Sequence, residues 1–309
     1  GIEPGDKNGN LMFRALNVCS TVDEFKHFLD STSLDGLCAN FGVIDAKGGA
    51  GWFEVSTRSY QFFDANDPTI APNGYLARTN FSFTGTEHEG LGYVRYQTDD
   101  ETLAKAALTH SITSDWIFSS LARSFRNPKL GIDLRDGNHN KSNTTGWFID
   151  QDFISRSGTA CSAIIQGVKV NENPELTTMW TVLGYPPVST AFPFWLKDAQ
   201  TILPSLYTSA PEEPVTIFGK KVDALKEEVY SFHEGIGSER YFNWDVLYNK
   251  QGNGIMQKLE PVEKEIFKRT NDIKERWYQK GKINSKELKA LYGSLSDYVT
   301  QSYQQLFGL

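Results

Sequence analysis

The fold is decided by residues 39–55, ANFGVIDAKGGAGWFEV, and by the two runs that follow, SYQFFDANDP at residues 59–68 and PNGYLARTNFSF at residues 72–83. Apolar and polar residues alternate within these runs, which is typical of half-buried strands. Gly48 and Gly49 interrupt the first run and allow the positive φ angles of a tight hairpin turn. Together the runs predict an antiparallel sheet.

Helical and strand-forming blocks follow one another along the rest of the chain. Residues 1–37 are predicted to be mostly helical, residues 38–96 to form the first strand block with its last strand at residues 91–96, residues 99–125 to be helical, and residues 146–195 to form the second strand block. Helices are expected in the C-terminal third at residues 223–232, 260–278 and 285–307. This order predicts an α+β fold, in which two mostly antiparallel sheets lie between helices as a four-layer αββα sandwich.

The length of 309 residues allows one large domain or two ordinary ones. We expect a single domain over residues 1–309, with residues 200–309 as a helical C-terminal extension packed on it. The formal charge of −7 and the absence of a Lys/Arg block before the C-terminal helices argue against nucleic-acid binding. No apolar run in the sequence approaches the length of a membrane span, so no membrane partner is expected.

The local sequence around Thr21 predicts the start of a helix. Thr21 is followed three residues later by Glu24, which is the pattern of a capping box. Three cysteines are present, Cys19, Cys38 and Cys161, and we expect all three to be small hydrophobic residues of the core. No CxxC pair and no pair of histidines at helical spacing occur, so neither a metal site nor a cofactor is predicted.

Several runs, taken in their order along the chain, resemble one protein family. They are residues 39–55, FDANDP at 63–68, NGYLARTNFSF at 73–83, SSLARSF at 119–125 and TTMWTVLGYPP at 177–187. They resemble the acyl-coenzyme A:6-aminopenicillanic acid acyltransferase and choloylglycine hydrolase branch of the N-terminal nucleophile hydrolases, over residues 11–195. The resemblance implies a linear-amide C–N hydrolase or acyltransferase, which attacks a small acyl amide and passes through an acyl-enzyme. Members of this family are often exported, to the periplasm or outside the cell, but the sequence itself does not fix the compartment.

The nucleophile that the family uses has no counterpart at the start of this sequence. Enzymes of the superfamily carry a Cys, Ser or Thr at the first position of the mature chain, where the α-amine acts as the base, whereas this sequence begins at Gly1. The resemblance therefore implies that the N-terminal strands with the catalytic Cys lie outside this chain. Three explanations stay open: a separate chain made by autoprocessing, a sequence shortened at its start, or a relative without a nucleophile. The expected partners are the acyl-amide substrate and either the separate N-terminal chain or a second copy in a homodimer.

Two side chains are candidate catalytic residues through the resemblance. It implies that Asn80, in a Thr-Asn pair, lies beside the nucleophile and supports the substrate amide or the tetrahedral oxyanion. It also implies that Arg123 lies near the nucleophile and lowers the pKa of its thiol. The residues alone leave two alternatives open: Asn80 as a polar loop residue, and Arg123 as a charge at a helix end, where Arg126 is a rival. The alternative function is a catalytically inactive relative of the same fold that binds a ligand or a partner.

Overall fold

The computed structural model describes residues 7–85, 91–138, 145–209 and 212–309. The chain divides into two compact units. The first unit comprises Gly1–Ile112 and Gly167–Pro174, and the second comprises Thr113–Gln166 and Glu175–Leu309. Helices and small antiparallel sheets occur in this chain as the α+β prediction requires. Residues 200–309 belong to the second unit. In the described ranges no helix is long and apolar enough to cross a membrane.

The first unit is built on a three-stranded antiparallel meander of β1 (Ala39–Ile44), β2 (Ala50–Val55) and β3 (Tyr60–Asp64). The hairpin predicted at Gly48 is confirmed, because this residue has a φ of +93° and the Asp45 amide N–H donates to the Gly49 carbonyl over 2.9 Å. Its strands pair in the register Phe41 with Phe53 and Phe53 with Phe62. These rings therefore line up across the sheet.

Two helices cover this sheet, α1 (Lys7–Val18) and α2 (Val22–Asp30). Their buried face joins the sheet in one apolar cluster, in which the Phe25 and Phe53 rings meet edge to face with centroids 4.9 Å apart. The predicted cap of α2 is confirmed, since the Thr21 hydroxyl accepts a hydrogen bond from the Glu24 amide over 3.1 Å.

Replacing Thr21 by Ala should lower the free energy of unfolding by about 1 kcal/mol, because the Glu24 amide at the start of α2 would lose its acceptor. Urea unfolding followed by circular dichroism measures the change. The control is Thr57→Ala, at an exposed position in the turn between β2 and β3. Equal stability of the Thr21 and Thr57 variants would contradict the capping account.

The third predicted run does not form a strand, and this prediction is wrong. No strand occurs between residues 65 and 85; this segment is a loop. The cause is the carboxylate of Glu54, which is only 4% exposed on β2. It accepts hydrogen bonds from Arg78 Nε (2.7 Å) and from the Ser82 hydroxyl (2.6 Å), as well as from the Thr84 amide (2.9 Å). The Phe83 amide also donates to this carboxylate, over 3.2 Å, so the backbone N–H groups of Phe83 and Thr84 are not available for a strand ladder.

The strand predicted at residues 91–96 is also wrong. The segment opens the helix α3 (Tyr93–Leu108), with Gly92 as its N-cap at a φ of +86°. The predicted helix start at Asp99 therefore lies inside the helix. Tyr93 at its start packs against the preceding loop, with the Phe81 and Tyr93 ring centroids 5.2 Å apart.

The second unit begins with a short helix α4 (Ser114–Trp116) that continues as a π-helical segment, Ile117–Ala122. Its strands are β4 (Arg126–Asn127), β5 (Ile132–Asp133), β6 (Trp147–Ile149), β7 (Cys161–Gln166), β8 (Thr178–Leu183), β9 (Ala191–Phe194) and β10 (Tyr241–Asn243). Strands β7, β8 and β9 form an antiparallel sheet in that order, and β4 pairs with β5 and β6 with β10. Its helices after β9 are α5 (Ile217–Val229), α6 (Trp244–Leu247), α7 (Ile255–Lys280) and α8 (Ser285–Phe307). The predicted boundaries of α8 are confirmed, and α5 and α7 begin earlier than predicted.

The cysteines are not core residues as a group, which corrects the sequence-based expectation. Cys19 is half-buried beside α2, but Cys38 and Cys161 are exposed. Cys161 lies on β7, an edge strand of its sheet that presents most of its residues to solvent. The strand at the other edge, β9, is buried, so an apolar run by itself does not predict which edge strand is covered.

Candidate functional site

Asn80 lies in the loop of the first unit and is exposed. Its side-chain oxygen Oδ1 accepts a hydrogen bond from Arg95 Nη2 over 2.7 Å, and Arg95 stands in the first turn of α3. An amide group has one acceptor and one donor end. Since the acceptor end faces the Arg95 guanidinium, the Nδ2 amine is the end that is available to donate to a ligand.

The loop around Asn80 is held by hydrogen bonds on both sides. Asn40 Nδ2 donates to the Thr79 carbonyl over 2.8 Å, and the Thr79 hydroxyl donates to the Gly92 carbonyl over 2.9 Å. Burial alone would raise the pKa of Glu54, but the hydrogen bonds from the side chain of Ser82 and from Thr84 outweigh it and lower the pKa below its usual value. Glu54 therefore stays ionised near neutral pH and keeps the loop tied to β2.

Asp99, one turn after Arg95 on α3, was missed as a candidate in the sequence. Burial raises its pKa to about 7; the Arg95 charge opposes this shift, and the Asp100 charge adds to it. A carboxyl group with such a pKa exchanges its proton near neutral pH, which is a property of acid–base groups in active sites. The sequence predicts a helix start at Asp99, so its position inside α3 was not expected.

Arg123 lies in the second unit, directly after the π-helical segment, and is buried. Its guanidinium forms a bidentate salt bridge with the carboxylate of Glu263 on α7: Nη1 donates to Oε2 over 2.7 Å and Nη2 donates to Oε1 over 2.6 Å. Nε donates to the Pro186 carbonyl over 2.8 Å and Nη2 to the Ser189 carbonyl over 2.9 Å. The guanidinium is thus almost fully engaged by the protein, and the pair with Glu263 carries no net charge.

The electrostatics of this pair favour the charged form of the Arg123 guanidinium. Burial would lower the pKa of Arg123, but the adjacent Glu263 carboxylate outweighs it and raises the pKa above the ordinary value. Glu263 gains a further donor, because the Ala191 amide at the start of β9 donates to its Oε1 over 2.7 Å. These contacts join the end of the π-helical segment, the turn after β8 and the helix α7.

A cavity of about 220 Å³ adjoins the Arg123–Glu263 pair within the second unit. Two of its walls are helical, the π-helical segment and the first three turns of α7. The others are the turns that follow β5, β8 and α6. The lining residues are Ser119, Arg123, Arg135, Pro187, Ser189, Tyr248, Met256, Gln257, Leu259, Glu260 and Glu263. A π-helical turn is often found beside functional sites, and here it supplies Ser119.

Two polar side chains in the cavity, Arg135 and Ser189, have hydrogen-bonding groups that the described residues do not fill. Arg135 Nη2 donates to the carbonyl oxygens of Ser119 (2.9 Å) and Arg123 (3.3 Å), and no carboxylate among the described residues lies within 4 Å of its guanidinium. The Ser189 side chain belongs to a residue that is 1% exposed, and its hydroxyl has no hydrogen-bond partner in the described part of the chain.

The two candidates predicted from the sequence thus belong to different units, Asn80 to the first and Arg123 to the second. In the ranges that the structure describes, no group of three or more His, Cys, Asp or Glu residues is arranged to hold a metal ion.

Comparison with known proteins finds no match: no family model, no curated protein and no solved structure corresponds to this chain.

Proposed function

We propose that this chain is part of a linear-amide C–N hydrolase or acyltransferase, whose Cys nucleophile is supplied from outside residues 1–309. The proposal is supported by the resemblance of five ordered runs to the N-terminal nucleophile family. The structural observation that carries it is the Asn80 amide, which is exposed, oriented by Arg95 and mounted on a loop tied to β2. A donor fixed in this way is what oxyanion stabilisation requires.

The proposed reaction is an acyl transfer through a thioester. The thiolate attacks the amide carbonyl, a tetrahedral oxyanion forms, and the C–N bond breaks as the leaving amine takes up a proton. Water or an acceptor amine then attacks the thioester and releases the acyl group. Asn80 Nδ2 donates to the oxyanion in both halves, and it needs no reorganisation because the other end of its amide is held by Arg95.

The same proposal includes the layered arrangement of the sheets and helices. We propose that the complete protein is a four-layer αββα sandwich of two mostly antiparallel sheets between helices, completed by strands that residues 1–309 do not include. The partner in this account is the polypeptide that carries the Cys, either as a separate chain or within a homodimer, and the substrate is a small acyl amide. The predicted electrostatic role of Arg123 stays a prediction, and the pairing with Glu263 gives this residue a structural role as well.

A second candidate function is that of an inactive relative that binds a ligand. It is favoured by the engagement of Arg123, whose donors face Glu263 and two carbonyl oxygens instead of a substrate. The two functions differ in one measurable property, which is the release of an amine from an acyl amide.

Replacing Asn80 by Ala should lower the turnover of an acyl amide about a hundredfold, because the oxyanion loses one fixed donor. The protein expressed from its complete gene is assayed on a panel of N-acyl amides by the amine that it releases. The matched control is Asn73→Ala, at an exposed turn of the same unit. Unchanged turnover of the Asn80 variant, at unchanged thermal stability, would remove Asn80 from the mechanism. Absence of amine release from every substrate by the unmodified protein would favour the inactive relative.

A further inference from the structure

The cavity of the second unit has the features of a built binding site. It contains a buried charged pair, Arg123 with Glu263, and a buried hydroxyl of Ser189 that lacks a partner in the described part of the chain. A buried polar group without a hydrogen bond destabilises the folded state, because it has lost its contacts with water. A ligand oxygen next to Ser189 would remove this cost. We propose that the cavity binds a small organic monocarboxylate, with its carboxylate on Arg135 and Ser189. This site does not depend on the proposed amide chemistry.

The charges around the cavity favour one negative charge on the ligand. Arg123 is neutralised by Glu263 at 2.6 Å, and Glu260 is paired with Lys264 on the next turn of α7 at 2.6 Å. Arg135 also lines the cavity, but among the described residues no carboxylate lies within 4 Å of its guanidinium. Its guanidinium uses Nη2 for two carbonyl oxygens and keeps other N–H groups for a ligand. A single carboxylate would complete the charge balance.

Because Glu260 and Glu263 are each paired with a cation, Arg135 leaves one positive charge to be balanced at the cavity. A doubly charged phosphate would balance this charge and leave a second negative charge without a partner. Arginine also matches the planar geometry of a carboxylate with two parallel hydrogen bonds. We therefore assign the site to a carboxylate and not to an inorganic phosphate.

The walls opposite the polar groups indicate an apolar tail. Pro187, Met256 and Leu259 present hydrocarbon surface, and each of them is a buried residue. The volume of about 220 Å³ is below the roughly 300–1,000 Å³ of pockets for drug-sized ligands. A short-chain acid of the size of butyrate fits these two properties. Access is provided at Arg135 and Glu260, which are exposed.

The test is titration of the full chain with sodium butyrate by isothermal calorimetry, with sodium phosphate, butylamine and butanol as the other arms. We expect butyrate to bind and the other three to bind at least tenfold more weakly. Arg135→Gln should weaken butyrate binding about tenfold or more, since a hydrogen bond to a charged group is lost. Ser189→Ala should weaken it by a smaller factor. The matched control is Arg240→Gln, an exposed arginine of the same unit, which should bind as the unmodified protein does.

A second measurement keeps the proposal testable if a variant fails to fold. In the unmodified protein, nuclear Overhauser contacts are expected between the butyrate methyl group and the methyl group of Met256. The proposal is overturned if butyrate does not bind, if phosphate or butanol binds as tightly, or if Arg135→Gln folds and binds butyrate unchanged. Contacts of butyrate with residues other than those of the cavity would overturn it as well.

Discussion

Replacing Glu263 by Gln should lower the free energy of unfolding by about 3–5 kcal/mol, because removal of one partner leaves the other charge buried and unpaired. Arg123 and Glu263 each keep only 9% of their side chain exposed, so solvent cannot take the place of the lost carboxylate. The carboxylate also binds the Ala191 amide at the start of β9, and this contact is weakened too. Urea unfolding followed by tryptophan fluorescence measures the loss.

The double variant Arg123→Met with Glu263→Met distinguishes an unpaired charge from a simple loss of packing. Replacement of a whole buried ion pair by apolar side chains is often close to neutral, so we expect the double variant to recover most of the stability lost by Glu263→Gln. The control on the same helix is Glu265→Gln, whose carboxylate pairs with Arg269 near the surface, where ion pairs contribute little to stability. A Glu263→Gln loss as small as that of Glu265→Gln would contradict the account of the buried pair.

Replacing Lys274 by Met should raise stability at pH 7 and remove part of its dependence on alkaline pH. Lys274 is a buried residue of α7 whose Nζ donates to Gln166 Oε1 over 2.6 Å, and no carboxylate among the described residues lies within 4 Å of it. Burial lowers its pKa to about 8, from an ordinary value of 10.5. A group that releases its proton more readily in the folded state makes the protein more stable as pH rises between these two values.

The size of this effect follows from the shift. Each pKa unit corresponds to 1.36 kcal/mol, so the gain between pH 8 and pH 10.5 is about 3 kcal/mol. Chemical unfolding of the Lys274→Met variant should therefore show a stability that is higher at pH 7 and that lacks this rise. Lys268→Met, at an exposed position of the same helix, should follow the pH profile of the unmodified protein. If the free energy of unfolding of the Lys274 variant and of the unmodified protein changed with pH in the same way, the Lys274 ammonium would have the same pKa in the folded and unfolded states. That result would contradict the prediction.

Elements that depend on near neighbours could be predicted from the sequence. The hairpin at Gly48 needs only a turn that allows a positive φ, and the cap at Thr21 needs only a hydroxyl three residues before Glu24. Helix α8 was predicted at its observed bounds, Ser285–Phe307. In each case, contacts within a few residues determine the structure.

Elements that depend on distant partners could not be predicted. The buried carboxylate of Glu54 holds residues 78–84 in a loop by accepting hydrogen bonds from them, and neither its burial nor these contacts are visible in the alternation of residues. The pair Arg123–Glu263 joins residues 140 positions apart. Such pairings arise from the tertiary fold, so the cavity beside them had no sequence signal.

The candidate site also contains one residue that local sequence could predict and one contact that depends on the tertiary fold. Asn80 was named through a Thr-Asn pair in a run of family resemblance, which is local information. Its partner Arg95 was placed in a strand, whereas it stands in the first turn of α3 and points its guanidinium at the Asn80 amide. A strand would have sent alternate side chains to opposite faces, and the contact would not have been expected.

The most direct test of the proposed chemistry is to locate the acyl-enzyme. The protein expressed from its complete gene is mixed with an N-acyl amide, quenched in acid, digested and analysed by mass spectrometry. The account predicts that amine is released and that the mass of the acyl group is found on a cysteine outside residues 1–309, in smaller amount when Asn80 is replaced by Ala. An acyl group on a side chain within residues 1–309, or amine release without any acylated peptide, would contradict it.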